Sequence, residues 1–190
     1  MKRTESWFLG AAFILLSLLI AVLGFRVQQL KGLVDELRPR PRVGLWAPPY
    51  PAATLDGAPV SLGSPSGQFQ LLYFFSPTCP VCKQVEPTVA AIHERIADAH
   101  APVDMYGVSA VPVDMLRSYS AEGRGGYPLI PLEPKKMVSL MQVHSVPTMV
   151  VVDKEGVIQW ANVGPIDDTA EQALGKVIFT DQVQSTDGEH

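Results

Sequence analysis

The chain has two cysteines in all, and both lie in one segment, Cys79-Pro80-Val81-Cys82. Two sulfurs at this spacing, after a buried strand and at the start of a helix, can cycle between dithiol and disulfide. At a helix N-terminus the free N–H groups and the dipole favour an anion. Cys79 should therefore ionise more readily than an ordinary cysteine, which titrates near ~8.5. Cys82, one turn further in, is more shielded and is placed to attack a mixed disulfide on Cys79. Cys79 is thus the expected nucleophile and Cys82 the resolving thiol. A static disulfide, two buried thiols and a metal pair are the other readings. A metal pair needs further ligands, and His144 is the one plausible third. His93 and His100 read as ordinary helix-face and helix-end residues. We expect no metal and no cofactor.

A second feature is Ser145-Val146-Pro147-Thr148, which leads into the apolar run Met149–Val152. Proline at the mouth of a central strand is unexpected, because it lacks a ladder donor. A cis Val146–Pro147 peptide in a tight turn would explain it, as would a trans proline at the first strand residue.

These groups need a scaffold. Gln70–Phe75 is a continuous apolar run, as in a central strand buried on both faces, and it leads directly into the cysteines. Val85, Val89, Ile92 and Ile96 recur at helical spacing after them, with Pro87 inside as an expected kink. Upstream, Ala53–Leu55 and Pro59–Leu62 flank Asp56-Gly57-Ala58, a hairpin signal. Downstream come a strand at 103–109, a short helix at 113–121, an extended piece at 127–130 and a helix at 135–142. Strands at 148–152 and 157–163, joined through Asp153-Lys154-Glu155-Gly156, form an antiparallel pair. Asp167–Phe179 is a closing helix with acids in its first turn. The pattern is an α/β fold with a mixed β-sheet flanked by helices.

The N-terminal part differs in composition. Trp7–Phe25 is nineteen residues without a charge, close to the ~20 apolar residues that span a bilayer core. It exceeds the ~7–15 residues of a signal h-region and lacks a convincing cleavage site, so an uncleaved anchor is favoured over a cleaved signal. Residues 26–38 carry a helical seam, Val27, Leu30, Val34 and Leu37, read as a juxtamembrane helix on the lipid surface ahead of a dimer coil. Arg38-Pro39-Arg40-Pro41 ends it. The expected divisions are a tail at 1–6, an anchor at 7–25, a stalk and linker at 26–42, the globular domain at 43–179 and a flexible tail at 180–190. Residues 1–42 hold seven Lys/Arg against three acids, and 43–190 hold eight against sixteen. The net charge of −4 argues against a nucleic-acid binder. The positive-inside count alone points to a cytoplasmic C-terminus. Long domains translocate largely regardless of such charges, and a redox pair gains an oxidising compartment only outside the cytoplasm. A single-pass inner-membrane protein with a periplasmic domain is therefore expected.

Residues 43–179 resemble membrane-anchored thioredoxin-like proteins of the TlpA/ResA group. The resemblance rests jointly on Trp46-Ala47-Pro48, Leu55-Asp56-Gly57, the strand–Cys79-Pro80-Val81-Cys82–helix unit, Pro87, Val146-Pro147-Thr148 and Asp153-x-x-Gly156. Within that group, Phe75–Lys83, the anchor and the stalk look most like the thiol-disulfide accessory proteins of methylamine utilisation. The resemblance implies a thioredoxin-like fold, an exported domain and dithiol–disulfide exchange. It also implies a cis Pro147 beside the cysteines, with the Val146 backbone free to pair with an extended substrate.

The chain departs from the group's pattern in three places. Thr78 stands where a Trp commonly precedes the first cysteine. Tyr73 stands where thioredoxins bury an Asp. Val85 stands where reducing members carry a Glu, leaving neighbouring Glu86 as the nearby candidate for proton transfer. The direction of electron flow stays open. The reading is an anchored thiol-disulfide oxidoreductase acting on cysteines of a maturing exported protein, a cytochrome c or a disulfide-rich enzyme subunit. A membrane redox partner would reset its dithiol. The alternatives are a copper chaperone using Cys79, Cys82 and His144, and a non-catalytic docking module.

Overall fold

The computed structural model describes the backbone of residues 2–37 and 39–180 and the side chains of residues 13–31 and 39–179. Two units emerge, divided after Arg38. The first is one unbroken helix, α1 (Lys2–Leu37). Its stretch Phe13–Lys31 is long and apolar enough to cross a membrane, and it overlaps the span expected at 7–25. The side chains of Trp7–Ala12 and those of Val34 and Leu37 in the expected seam lie outside the described residues, as do residues 181–190 of the tail expected at 180–190. The helix ends at Leu37, ahead of Pro39.

The second unit begins with a hairpin of β1 (Tyr50–Ala53) and β2 (Pro59–Leu62), paired antiparallel. Gly57 turns it with φ +84°, a conformation that glycine adopts without a Cβ clash. A five-stranded sheet follows, built from β3 (Phe69–Phe75), β4 (Val103–Ser109), β5 (Leu129–Pro131), β6 (Thr148–Asp153) and β7 (Ile158–Val163). Its order is β5-β4-β3-β6-β7. The pairs β3–β4 and β4–β5 are parallel, whereas β3–β6 and β6–β7 are antiparallel.

All seven residues of β3 are buried. Alternate side chains serve opposite faces, which is why the run shows no polar alternation. Leu71, Tyr73 and Phe75 pack on α2 (Pro80–Asp98), α3 (Val113–Ala121) and α5 (Asp168–Thr180). Leu72 and Phe74 pack with Leu62 of the hairpin and with Met137 and Met141 of α4 (Pro134–Met141). Buried Gln70 ties the hairpin to the sheet: its Nε2 donates to the Ser61 carbonyl at 2.9 Å and its Oε1 accepts from Gly63 N–H at 2.8 Å. A buried amide with both ends bonded avoids the cost of an unmade hydrogen bond.

The structure adds three local details. The extended piece at 127–130 is an edge strand, β5, aligned with Gly107–Ser109 of β4. Three residues, with Pro128 before them and Pro131 as the last, are too few to show a period of two. The α2 helix runs through the exposed Pro87 from residue 80 to 98. Residues 44–47 are laced to the far end of the sheet: Gly44 N–H donates to Ile158 O, Ile158 N–H to Leu45 O and Ala47 N–H to Gly156 O, at 2.7–2.8 Å.

Candidate active site

The β3 strand delivers the chain to Ser76-Pro77-Thr78, and the carbonyl of Ser76 accepts Cys79 N–H at 3.1 Å. Cys79 is the N-cap of α2, with extended backbone at φ −74° and ψ 121°, and Pro80 follows as the first helical residue. Proline suits that position, since its missing N–H would have had no intrahelical partner. The Cys79 sulfur takes the place of a capping oxygen: Cys82 N–H donates to Cys79 Sγ at 3.4 Å. Both cysteines are free thiols, Cys79 half-buried and Cys82 only 3 % exposed.

This geometry separates their acidities. Burial opposes ionisation of Cys79, but hydrogen bonds from the Cys82 side chain and from the Cys82 and Val81 N–H groups outweigh it, so its pKa falls below the usual thiol value. Cys82 moves the other way. Burial and its hydrogen bond to Cys79 push it up to about 12, against weaker help from the Ser76 backbone and the Tyr73 phenol.

The second segment comes from across the sheet. The Val146–Pro147 peptide is cis, so the reading with a trans proline does not hold. The Cys79 thiol donates to the Val146 carbonyl at 3.7 Å. Thr148 Oγ1 donates to Ser145 O at 2.8 Å, and Gly164 N–H to Pro147 O at 2.8 Å, which pins both sides of the turn. Sixty-seven residues separate Cys79 from Val146 in the chain. They meet because β3 and β6 are antiparallel neighbours, so the end of β3 lies beside the start of β6.

Glu86 stands in a different arrangement from the one expected. It faces Arg124, whose Nε donates to Oε1 at 2.9 Å and whose Nη2 pairs with Oε2, and Tyr119 OH donates to Oε1 at 3.2 Å. Hydrogen bonding by Arg124, against burial, holds the carboxyl below its usual range. A carboxylate stabilised in this way is a poor proton acceptor at neutral pH. His144 is exposed. Among the described residues no group of three or more His, Cys, Asp or Glu could hold a metal, so His144 does not complete a set with the two sulfurs.

Sequence reasoning noted Tyr73 only as a departure and overlooked Tyr119, Tyr127 and Arg124. Tyr73 packs edge-on to Tyr127 at 6.2 Å between ring centroids, and Arg124 lies 4.6 Å above the Tyr119 ring. No local pattern marks these residues, because they come from β3, α3 and the loop before β5.

The pattern of the AhpC/TSA family matches residues 43–161. The methylamine utilization protein MauD of Methylobacillus flagellatus is 31% identical over 122 residues, covering 63% of this chain and 56% of that protein. The chain thus spans little more than half the length of that relative. The thioredoxin-like protein YneN of Bacillus subtilis is 30% identical over 122 residues, covering 64% of this chain and 71% of YneN. Among solved structures, the thioredoxin domain of a thiol-disulfide oxidoreductase from Bacteroides vulgatus superposes with a TM-score of 0.60 at 21% identity. That match covers 72% of this chain and 98% of the other, and it shows the fold. With the mixed sheet, the cysteine pair at the start of α2 and the match over 43–161, the chain belongs to the AhpC/TSA family and has a thioredoxin-like fold.

Proposed function

We propose that the protein is a membrane-anchored thiol-disulfide oxidoreductase, with its globular domain outside the cytoplasm and acting on cysteines of a maturing exported protein. The observation that carries this reading is the asymmetry of the two sulfurs. Cys79 is partly accessible and hydrogen-bonded by Cys82 N–H, and Cys82 is buried behind it. Cys79 thiolate attacks one sulfur of a substrate disulfide, and the other substrate sulfur leaves with the electron pair. Cys82 then attacks Cys79 Sγ, and the second substrate sulfur departs as a thiol. The protein ends as a Cys79–Cys82 disulfide and the substrate as a dithiol; reversing the steps oxidises the substrate.

Val146 and Pro147 form the substrate-binding edge in this reading. The Val146 carbonyl beside Cys79 is placed to accept an N–H from an extended substrate strand. Pro147 has no N–H to compete for the sulfur. The substrate is a cytochrome c apoprotein or a disulfide-rich enzyme subunit, and a membrane redox partner resets the pair. The apolar stretch in α1 supports the anchor.

The test uses insulin as a disulfide substrate. Wild-type protein with dithiothreitol accelerates insulin reduction, and Cys82→Ala accumulates a disulfide-linked adduct through Cys79. No acceleration, together with tight stoichiometric binding of copper(I), would replace this reading with metal delivery.

A further inference from the structure

Among the described large apolar side chains of the globular unit, the two most exposed are Val43 at 66% and Trp46 at 62%. They stand three residues apart, where the chain enters that unit. We infer that this corner is a membrane-docking surface, and that its occupant is the lipid interface of the anchoring bilayer. This inference rests on the anchored reading above and adds which end of the globular unit meets the lipid.

The backbone holds this corner rigid. Leu45 N–H closes a turn onto Arg42 O at 3.2 Å, with Gly44 at φ +87°, so Val43 stands at its tip. Backbone hydrogen bonds from Gly44 to Ile158, from Ile158 to Leu45 and from Ala47 to Gly156 then fix the next residues against the start of β7. Leu45 and Ala47 turn inward and join the cluster of Leu62, Phe74 and Ile158. Trp46 points the other way, as alternation along an extended chain requires. The nitrogen edge of its ring lies against Gly156, where a Cβ would come within 3.1 Å of Nε1. Gly156 belongs to a turn braced by the Asp153 carboxylate, which accepts from Glu155 N–H at 3.0 Å and from Val157 N–H at 2.8 Å. A fixed frame thus presents a large apolar ring outward, where removing it from water is favourable.

Tether length and chemistry select lipid as the occupant. The membrane-length stretch ends at Lys31, and Val43 follows twelve residues later. At no more than ~3.6 Å per residue, Val43 stays within about 40 Å of the end of that stretch. A short tether raises effective concentration, so a contact too weak to hold a free domain is occupied here. Tryptophan is favoured at membrane interfaces, because its ring body is apolar and its edge carries a donor. The charges agree. Arg40 and Arg42 lead into the corner, and the Gly156 turn carries exposed Lys154 beside exposed Glu155. This basic balance suits anionic headgroups. A second copy of the chain would set the same basic corner against itself, which repulsion disfavours.

Docking at this corner also sets where the cysteines point. Phe69, the first residue of β3, pairs with Asp153 of the same turn, and Phe75, its last, leads to Cys79. Six steps of ~3.3 Å separate these ends, about 20 Å in all. Docked through Trp46, the unit turns Cys79 away from the bilayer and toward proteins in the aqueous phase.

The experiment uses the full chain reconstituted in vesicles of phosphatidylcholine and phosphatidylglycerol. Bromine carried near the headgroup end of the acyl chains serves as a short-range quencher. Trp7→Phe removes the emitter in the apolar run. Trp46→Ser in that background isolates the Trp46 signal by difference and leaves buried Trp160 in place. Trp46 is mostly exposed, so its replacement spares the core. Trp46 is expected to lose most of its emission to brominated lipid, and Arg42→Glu combined with Lys154→Glu should restore part of it. A bimane label on Cys79 should keep its emission in the same vesicles. Full emission from Trp46 in vesicles that carry the chain would overturn the inference, as would equal quenching at Trp46 and at Cys79. Trp46 emission that responds to protein density in the membrane but not to bromine would assign the corner to a second copy and overturn it too. Chain that fails to float with the vesicles would instead overturn the anchored reading, and this inference with it.

Discussion

Cys82 N–H donates to Cys79 Sγ at 3.4 Å, so each residue alters the chemistry of the other. One sulfur becomes the helix cap and gains donors, while the other is enclosed between α2 and β3. A short backbone contact thus turns two chemically identical side chains into an accessible acid and a buried one.

Alkylation reads this difference directly. In the reduced protein at neutral pH, iodoacetamide should modify Cys79 ahead of Cys82, as mapped by peptide mass spectrometry over time. Burial pushes Cys82 up to about 12, so it is overwhelmingly protonated at pH 7, and burial limits access further. The rate at Cys79 should saturate at lower pH than that of a free cysteine. Equal rates, or faster labelling of Cys82, would reverse the roles assigned to the pair.

Glu86 and Arg124 make a structural prediction. Their side chains are 20% and 29% exposed, so the pair lies between a surface and a buried ion pair. Glu86→Gln should cost about 1 kcal/mol of unfolding free energy at pH 7. Its folded-state pKa is depressed, so the stabilisation is present in full above the unfolded value near ~4.3 and is lost as pH falls through the folded value. The gap between wild type and variant in urea melts should therefore close in acid. A gap that persists at pH 2, or that is absent at pH 7, would refute the assignment.

Topology is tested by fusion. A reporter that is active only outside the cytoplasmic membrane, joined after His190, should be active. Activity of a reporter that works only in the cytoplasm would show that the five basic residues between Arg26 and Arg42 set the orientation.

The placement of the cysteine pair was legible in the sequence because it is local. Cys79 and Cys82 stand together, an apolar strand precedes them and a helical period follows, so their place at a strand–helix junction could be read from spacing alone. The hairpin around Gly57, the closing pair through Gly156 and the apolar stretch before Phe25 were equally legible, since each is set by a few adjacent residues. The tertiary structure decided what depends on distant segments meeting. It chose the cis form of Val146–Pro147 and put that turn against Cys79, because the antiparallel β3–β6 pairing joins segments sixty-seven residues apart. It added β5 to the sheet edge through β4, a pairing that three residues could not advertise. It drew Glu86 to Arg124 and Tyr119, because α2, α3 and the loop before β5 pack on one face of the sheet. Spacing along a chain fixes which groups share a turn; only packing fixes which groups share a proton or a charge.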